Sequence, residues 1–333
     1  MAQLKAGLVG IGGAGSGHLR IASSSDKVEV VAVCDVRKEL VDETVSKLGI
    51  RGFYNYEDLF KYSEVEVVVM ALPHYLYLDA VTKAAEHGLH ILKEKPFALN
   101  AEEGEKMIRT AEKNDVILMV VSQRRYTPTF RRAKELLDQK AFGDIYIARG
   151  VITYNALYKV PDWGWRSWRK YSGGVALLDA GWHIMDLLYW YFGLPRSIYC
   201  VLGTKKTRPY ATYDTDDKAI VAMEYPDGSV GYALSCFTTL PTESKVLAYG
   251  TEGTLEVDGN RLIRYMQDGW TVEDKLASTV DVGKTQFEHF VDCVKRKIEP
   301  LTSGRNVLCV QKMIDAGYKS ANEGRPIALQ ASQ

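Results

Sequence analysis

The chain has 333 residues, 46% of them hydrophobic and 25% charged, and its 42 Lys and Arg balance 42 Asp and Glu to a net charge of zero. That length exceeds one typical domain of about 100–200 residues and the composition is that of a soluble globular protein, so two folded domains are expected and disorder is excluded. Balanced charge supplies no field for nucleic acid or a membrane surface, and no apolar run approaches the ~20 residues of a membrane span.

The opening residues read as a strand, Leu4–Val9, entering a glycine turn rather than as a signal peptide, so a cytoplasmic setting is expected. Further apolar, β-branched runs follow at Val28–Cys34, 65–72, 89–92 and 116–121, with helical patterns between them at Lys38–Leu48, 75–86 and Ala101–Lys113. Buried strands alternating with helices predict an α/β domain with a parallel sheet covered on both faces, over residues 1–122. Beyond Ser122 the rhythm changes. A helix is predicted at 130–139, a strand at 145–154, a Trp- and Arg-rich loop at 163–170 and a long helix at 175–192. Strand patterns then succeed one another at 198–203, 218–225, 229–237, 244–249, 254–257 and 262–265, with a Pro226-Asp227-Gly228 turn, before helices at 285–296 and 304–322. Strands without intervening helices predict a second, α+β domain over 123–333, with a largely antiparallel sheet.

The glycine turn carries the first chemical signal. Gly10 permits the tight turn, Gly12 lets the backbone approach a pyrophosphate, and Gly15 lets helix and strand pack closely. With Gly13 and Ala14 they open a helix whose N-terminal N–H groups point at the phosphates. Asp35 ends the second strand twenty positions after Gly15 and is placed to accept hydrogen bonds from an adenosine ribose. Its carboxylate would repel a 2′-phosphate and favours NAD, while Arg37 and Lys38 just beyond could accommodate that phosphate, so NADP stays open. Leu72, Pro73 and His74 at the third strand's end, with Glu94 and Lys95, complete the expected cofactor-binding set.

Lys93-Glu94-Lys95-Pro96 closes a strand of the parallel sheet, beyond whose carboxyl end ligands bind. Taken alone it reads better as a solvated strand end. The segment 173–186 tips the balance. If helical, it places Asp179, His183 and Asp186 on one face among apolar neighbours, where a titratable stripe is costly unless it has work to do. A carboxylate one turn from an imidazole can hold its tautomer and suit it to proton transfer. The five scattered cysteines and remaining histidines form no ligand ladder, so no metal is expected. No Tyr is followed by Lys four residues later, and HExxH, GxSxG and Walker A patterns are missing.

With these residues in place, the chain resembles the glucose–fructose oxidoreductase / inositol dehydrogenase (Gfo/Idh/MocA) family of NAD(P)-dependent oxidoreductases over nearly its whole length. The resemblance rests on the Gly10–Gly15 turn with His18, on Asp35, on Glu94-Lys95-Pro96, on the Gln123-Arg124-Arg125-Tyr126 stretch with Pro128, and on Gly173-Gly174, Asp179, Gly181, His183 and Asp186. It implies a Rossmann domain followed by a substrate-binding and oligomerisation domain with an open, mostly antiparallel sheet. It further implies Lys95, Asp179 and His183 as the catalytic trio, and assembly into a homodimer or homotetramer. Two positions depart from the family: Tyr77 stands where a histidine is frequent, and Gly173-Gly174 where three glycines are common.

Aromatic faces suit the C–H faces of sugar rings and arginines their hydroxyls. Tyr154, Tyr158, Trp163 and Arg166, with Arg125, Lys95, Asp179 and His183, are therefore the expected substrate contacts, although the tryptophans read equally as packing. The function these observations imply is hydride transfer between a nicotinamide and a secondary alcohol or ketone of a sugar, cyclitol or related polyol. Two alternatives remain: a glycosidase or lyase that uses bound NAD only transiently, and a non-catalytic NAD- and sugar-binding regulator.

Overall fold

The computed structural model describes residues 2–155, 164–204, 212–274 and 280–330. Two compact units emerge: Met1–Gln123 with Asp281–Leu308, and Arg124–Val280 with Cys309–Gln333.

The first unit runs β1 (Leu4–Val9), α1 (Ala14–Ser23), β2 (Val28–Cys34), α2 (Lys38–Leu48), β3 (Arg51–Phe53), α3 (Tyr56–Phe60), β4 (Val67–Met70), α4 (Tyr77–Glu86), β5 (His90–Lys93), α5 (Ala101–Lys113) and β6 (Leu118–Val120). All six strands pair in parallel, in the order β3-β2-β1-β4-β5-β6. β4 is Val-Val-Val-Met, buried at every position, as a central strand covered on both faces requires. Asn55 and Asn100 start α3 and α5 by accepting hydrogen bonds from Glu57 N and Glu103 N, at 3.0 and 2.9 Å. Strand order reverses between β1 and β4, and such a reversal opens a ligand crevice at the strands' carboxyl ends. β3 and α3 are too short to show periodicity and went unforeseen.

The second unit comprises α6 (Pro128–Asp138), β7 (Ile145–Asn155), α7 (Arg169–Ser172), a π-helical turn (Val175–Ala180), α8 (Trp182–Phe192) and seven further strands. These are β8 (Ser197–Gly203), β9 (Lys218–Glu224), β10 (Val230–Cys236), β11 (Thr238–Gly250), β12 (Gly253–Asp258), β13 (Leu262–Met266) and β14 (Thr271–Asp274). The predicted helix at 175–192 is therefore two windings. With a C-terminal strand, the sheet has nine strands in the order β14-β13-β12-β11-β7-β10-β9-β8-β15, antiparallel everywhere except β7–β10. α8 packs on β7 at Gly150, where a Cβ would come within 2.6 Å of Ile184. On the sheet's other face Tyr199, Val201, Ile220, Val230 and Tyr232 are exposed, alternating with buried Ile198, Cys200, Val221 and Ala233.

The chain ends with α9 (Val282–Arg296), α10 (Gly304–Glu323) and β15 (Ile327–Ala328). By sequence these belong to the predicted second domain, 123–333; in space α9 packs on α1, with Lys27 Nζ 2.8 Å from Asp292. The loop after α9 covers the bare edge of β6. Val120 N donates to Thr302 O at 2.9 Å, and Thr302 Oγ1 donates to Val120 O at 2.7 Å. An exposed parallel edge is a pairing hazard, and this loop removes it.

Candidate functional site

The glycine turn has the geometry its spacing predicts. Gly10 sits at φ +78°, and a Cβ there would lie 2.2 Å from Ala71 O, so only glycine brings β1 this close to the β4 exit. A Cβ on Gly15 would come within 1.7 Å of Gly10 O, the tight approach of helix to strand. Gly13 precedes α1 with open space before it, no side chain caps the helix, and its first turn holds no acidic residue. A helix start with no side-chain cap and open space beside Gly13 fits a pyrophosphate. Asp35 is buried at the end of β2 and accepts from Ile11 N at 3.1 Å and from Arg37 Nε and Nη2 at 3.0 Å. Burial alone would raise its carboxyl, but those donors outweigh it and hold the carboxyl below its usual value. The Arg37 guanidinium lies over the turn, where a Cβ on Gly12 would meet Nη2 at 1.9 Å. The first unit thus brings Gly10, Gly12, Gly13, Ala14, Gly15, Asp35 and Arg37 to one end of its sheet.

At the neighbouring strand ends, Glu94 Oε1 lies 2.9 Å from His18 Nε2 on α1, and Glu94 Oε2 accepts from Lys95 N at 3.1 Å. Burial would raise Glu94, but His18 and Lys95 hold it below the usual carboxylate range. Lys95 is half-buried, and Lys95-Pro96 is cis. Lys93 is not a solvated strand end. It is 0% exposed, and its Nζ donates to Pro96 O at 2.6 Å and Phe97 O at 2.7 Å while lying 3.5 Å from the centre of the Tyr77 ring. Tyr77 in turn accepts Leu72 N at 3.1 Å through its hydroxyl. Lys93 and Tyr77 together tie the loop of Leu72, Pro73 and buried His74 to the loop carrying Lys95. Sequence reasoning missed this brace; a lysine in an otherwise apolar strand was its only trace.

In the second unit Asp179 lies in the π-helical turn, closed by Gly181 N donating to Ala176 O at 2.8 Å, and His183 lies in the first turn of α8. Both are buried, at 3% and 7% exposure. Inserted π turns recur at functional sites because the wider winding redirects a side chain. Arg166 Nε donates to Asp179 Oδ2 at 2.8 Å, and its guanidinium stacks 4.2 Å from the Trp165 ring centre. Asp186 lies one turn beyond His183 on α8. It forms a buried ion pair with Arg125, whose Nη2 donates at 2.6 Å, so Arg125 serves as a strut to α8. Tyr154 Oη lies 3.4 Å from Arg124 Nη2. Trp163 and Tyr158 lie outside the described residues. Asp216 was also missed: it is 1% exposed and accepts Leu177 N at 2.8 Å and the Tyr318 hydroxyl at 3.1 Å. No group of three or more His, Cys, Asp or Glu able to hold a metal occurs among the described residues.

Two domain families match the chain: the NAD-binding Rossmann fold of an oxidoreductase family over residues 4–122, and the C-terminal alpha/beta domain of the same family over residues 134–329. The chain belongs to the Gfo/Idh/MocA oxidoreductase family. Among its relatives is D-xylose 1-dehydrogenase [NADP(+)] of Haloarcula marismortui, 28% identical over 90% of this chain and 85% of that protein. Another is the rhizopine catabolism protein MocA of Rhizobium meliloti, 30% identical over 69% of this chain and 70% of the relative. The chain is also similar to the WlbA dehydrogenase of Bordetella pertussis, solved with NADH and UDP-GlcNAcA. That structure shares 26% identity at a TM-score of 0.86 and covers 99% of this chain and 100% of its own. This Gfo/Idh/MocA member is thus an NAD(P)-dependent oxidoreductase whose first domain has the Rossmann fold and whose second carries a mostly antiparallel sheet.

Proposed function

We propose that the protein interconverts a secondary alcohol and its ketone in a sugar, cyclitol or related polyol, with Lys95, Asp179 and His183 as the catalytic residues. The observation that carries this reading is the buried Asp179 with His183 at the π-turn junction, in a chain whose other domain binds a dinucleotide. Bound NAD(P) supplies the hydride acceptor for the substrate carbon. His183 takes the hydroxyl proton, Asp179 orients the imidazole, and the Lys95 ammonium stabilises charge developing on the oxygen. Arg166, at 2.8 Å, holds the Asp179 carboxylate in turn. Arg125 contributes through Asp186, and Tyr154 and Arg166 are the proposed substrate contacts from the described residues. Gly10, Gly12, Gly13, Ala14, Gly15, Asp35, Leu72, Pro73, His74 and Glu94 form the proposed cofactor site. NAD is the proposed coenzyme because of Asp35, and Arg37 makes NADP the second to assay.

A homodimer or homotetramer is proposed, supported by the exposed apolar face of the nine-stranded sheet. No described helix is long and apolar enough to cross a membrane. The proposed cytoplasmic setting is supported by five free thiols. The test is formation of NADH or NADPH against a panel of aldoses, cyclitols and sugar acids, alongside Lys95→Ala and His183→Ala. One substrate class should give a signal that falls about 10²–10⁴-fold in either variant. Product formed with no net NADH would replace this reading by transient oxidation. Binding of dinucleotide and sugar with no turnover in either direction would replace it by a regulator.

A further inference from the structure

We infer that Asp216 is a positioning residue that sets the Asp179-bearing turn through its backbone. This rests on the proposed roles of Asp179 and His183.

Gly174, which precedes the π-helical turn, has no side chain to cap it, and a helix start leaves several N–H groups without intrahelical acceptors. Here the acceptors come from far along the chain. Ala176 N donates to the Asp216 carbonyl at 3.1 Å and Leu177 N to its Oδ2 at 2.8 Å, while Leu178 N donates to the Tyr318 hydroxyl at 3.2 Å. That hydroxyl itself donates to Asp216 Oδ1 at 3.1 Å. Three consecutive N–H groups are thus held by two side chains and one carbonyl. Gly174, at φ +149°, is where this external cap enters: a Cβ there would lie 1.8 Å from the Tyr318 hydroxyl and 2.7 Å from Asp216 Oδ1. The Ser235 hydroxyl donates to Ala176 O.

The same loop also holds Arg166's segment. Asp214 Oδ1 accepts Arg169 N at 2.6 Å, Asp214 N donates to Ser167 O at 3.0 Å, and Arg169 Nη2 reaches Asp216 Oδ1 at 3.3 Å. Both partners of the Arg166–Asp179 pair are therefore referenced to residues 214–216. A displacement of about 1 Å in a positioned group can cost 10²-fold in rate.

Asp216→Asn keeps the size but removes the charge and one acceptor oxygen; Tyr318→Phe removes the second cap. Each should lower kcat about 10–100-fold and alter the pH profile of kcat, leaving dinucleotide affinity unchanged. In an Asp179→Ala background, Asp216→Asn should add little further loss, because the two act as a unit. Wild-type kcat and pH profile in folded Asp216→Asn and Tyr318→Phe would overturn the inference, as would full additivity with Asp179→Ala. A lowered Tm with unchanged kcat would mark a merely structural contact and equally overturn it. His183→Ala run in parallel separates the two levels: full activity there sinks the assigned catalytic roles, whereas an inactive His183→Ala beside a normal Asp216→Asn sinks only the positioning.

Discussion

At Lys93 a side-chain amine is fully buried, facing two backbone carbonyls and the face of Tyr77. Replacing it by Met leaves the carbonyls of Pro96 and Phe97 without their donor. The expected loss is about 1–3 kcal/mol in urea unfolding at neutral pH. Burial pushes the Lys93 amine well below its usual value of 10.5. Between that depressed native value and 10.5 the unfolded chain binds more protons than the folded one, so wild-type stability rises with pH through the window. The gap between wild type and Lys93→Met should therefore widen in urea titrations run towards pH 10.5; a constant or narrowing gap would contradict the assignment. Residues of this kind explain what the sequence could not display. The geometry of Gly10, Gly15 and Asp35 is legible because the glycine spacing and the strand end are local signals. The meaning of Lys93 depends on Tyr77, and that of Asp216 on a turn some forty residues earlier, and neither pairing leaves a period in the chain.

Between Val175 and Leu188 every residue is buried. A segment enclosed all round has no amphipathic phase, so the change from π-helical to α-helical winding near Gly181 was invisible and one continuous helix was the natural expectation. The same enclosure makes the start of the turn intolerant. Gly174→Ala combines a positive φ with a Cβ driven into Tyr318 and Asp216, and a loss of about 2–4 kcal/mol is expected in urea unfolding. An alanine variant with wild-type stability would show that the cap is not seated there. Strands were easier to anticipate than their length or partners. β11 runs from Thr238 to Gly250, beyond the predicted 244–249, because Thr238 pairs with Asn155 past a register shift on β7.

On the scale of the whole molecule, the two-domain plan was legible from the change of rhythm after Ser122. The return of residues 281–308 to the first unit was not, because a helix pattern does not say which sheet it covers. The open face of the nine-stranded sheet gives a test of assembly. Ile220→Glu or Tyr232→Lys puts a charge among exposed apolar side chains, and light scattering should report a smaller particle than wild type. An unchanged mass would move the interface elsewhere.

The cover over β6 bears on how the protein is made. Thr302 leaves the ribosome roughly 180 residues after Val120, about ten to forty seconds later at ordinary rates of synthesis. Throughout that interval the nascent first domain presents a bare strand edge, while every strand of the second sheet except β15 is still being translated. A fragment ending at Gln123 freezes that vulnerable moment: it should aggregate when expressed alone. Joining residues 281–308 to it through a flexible linker should restore a soluble species, which makes that late segment an intramolecular cover for the first domain.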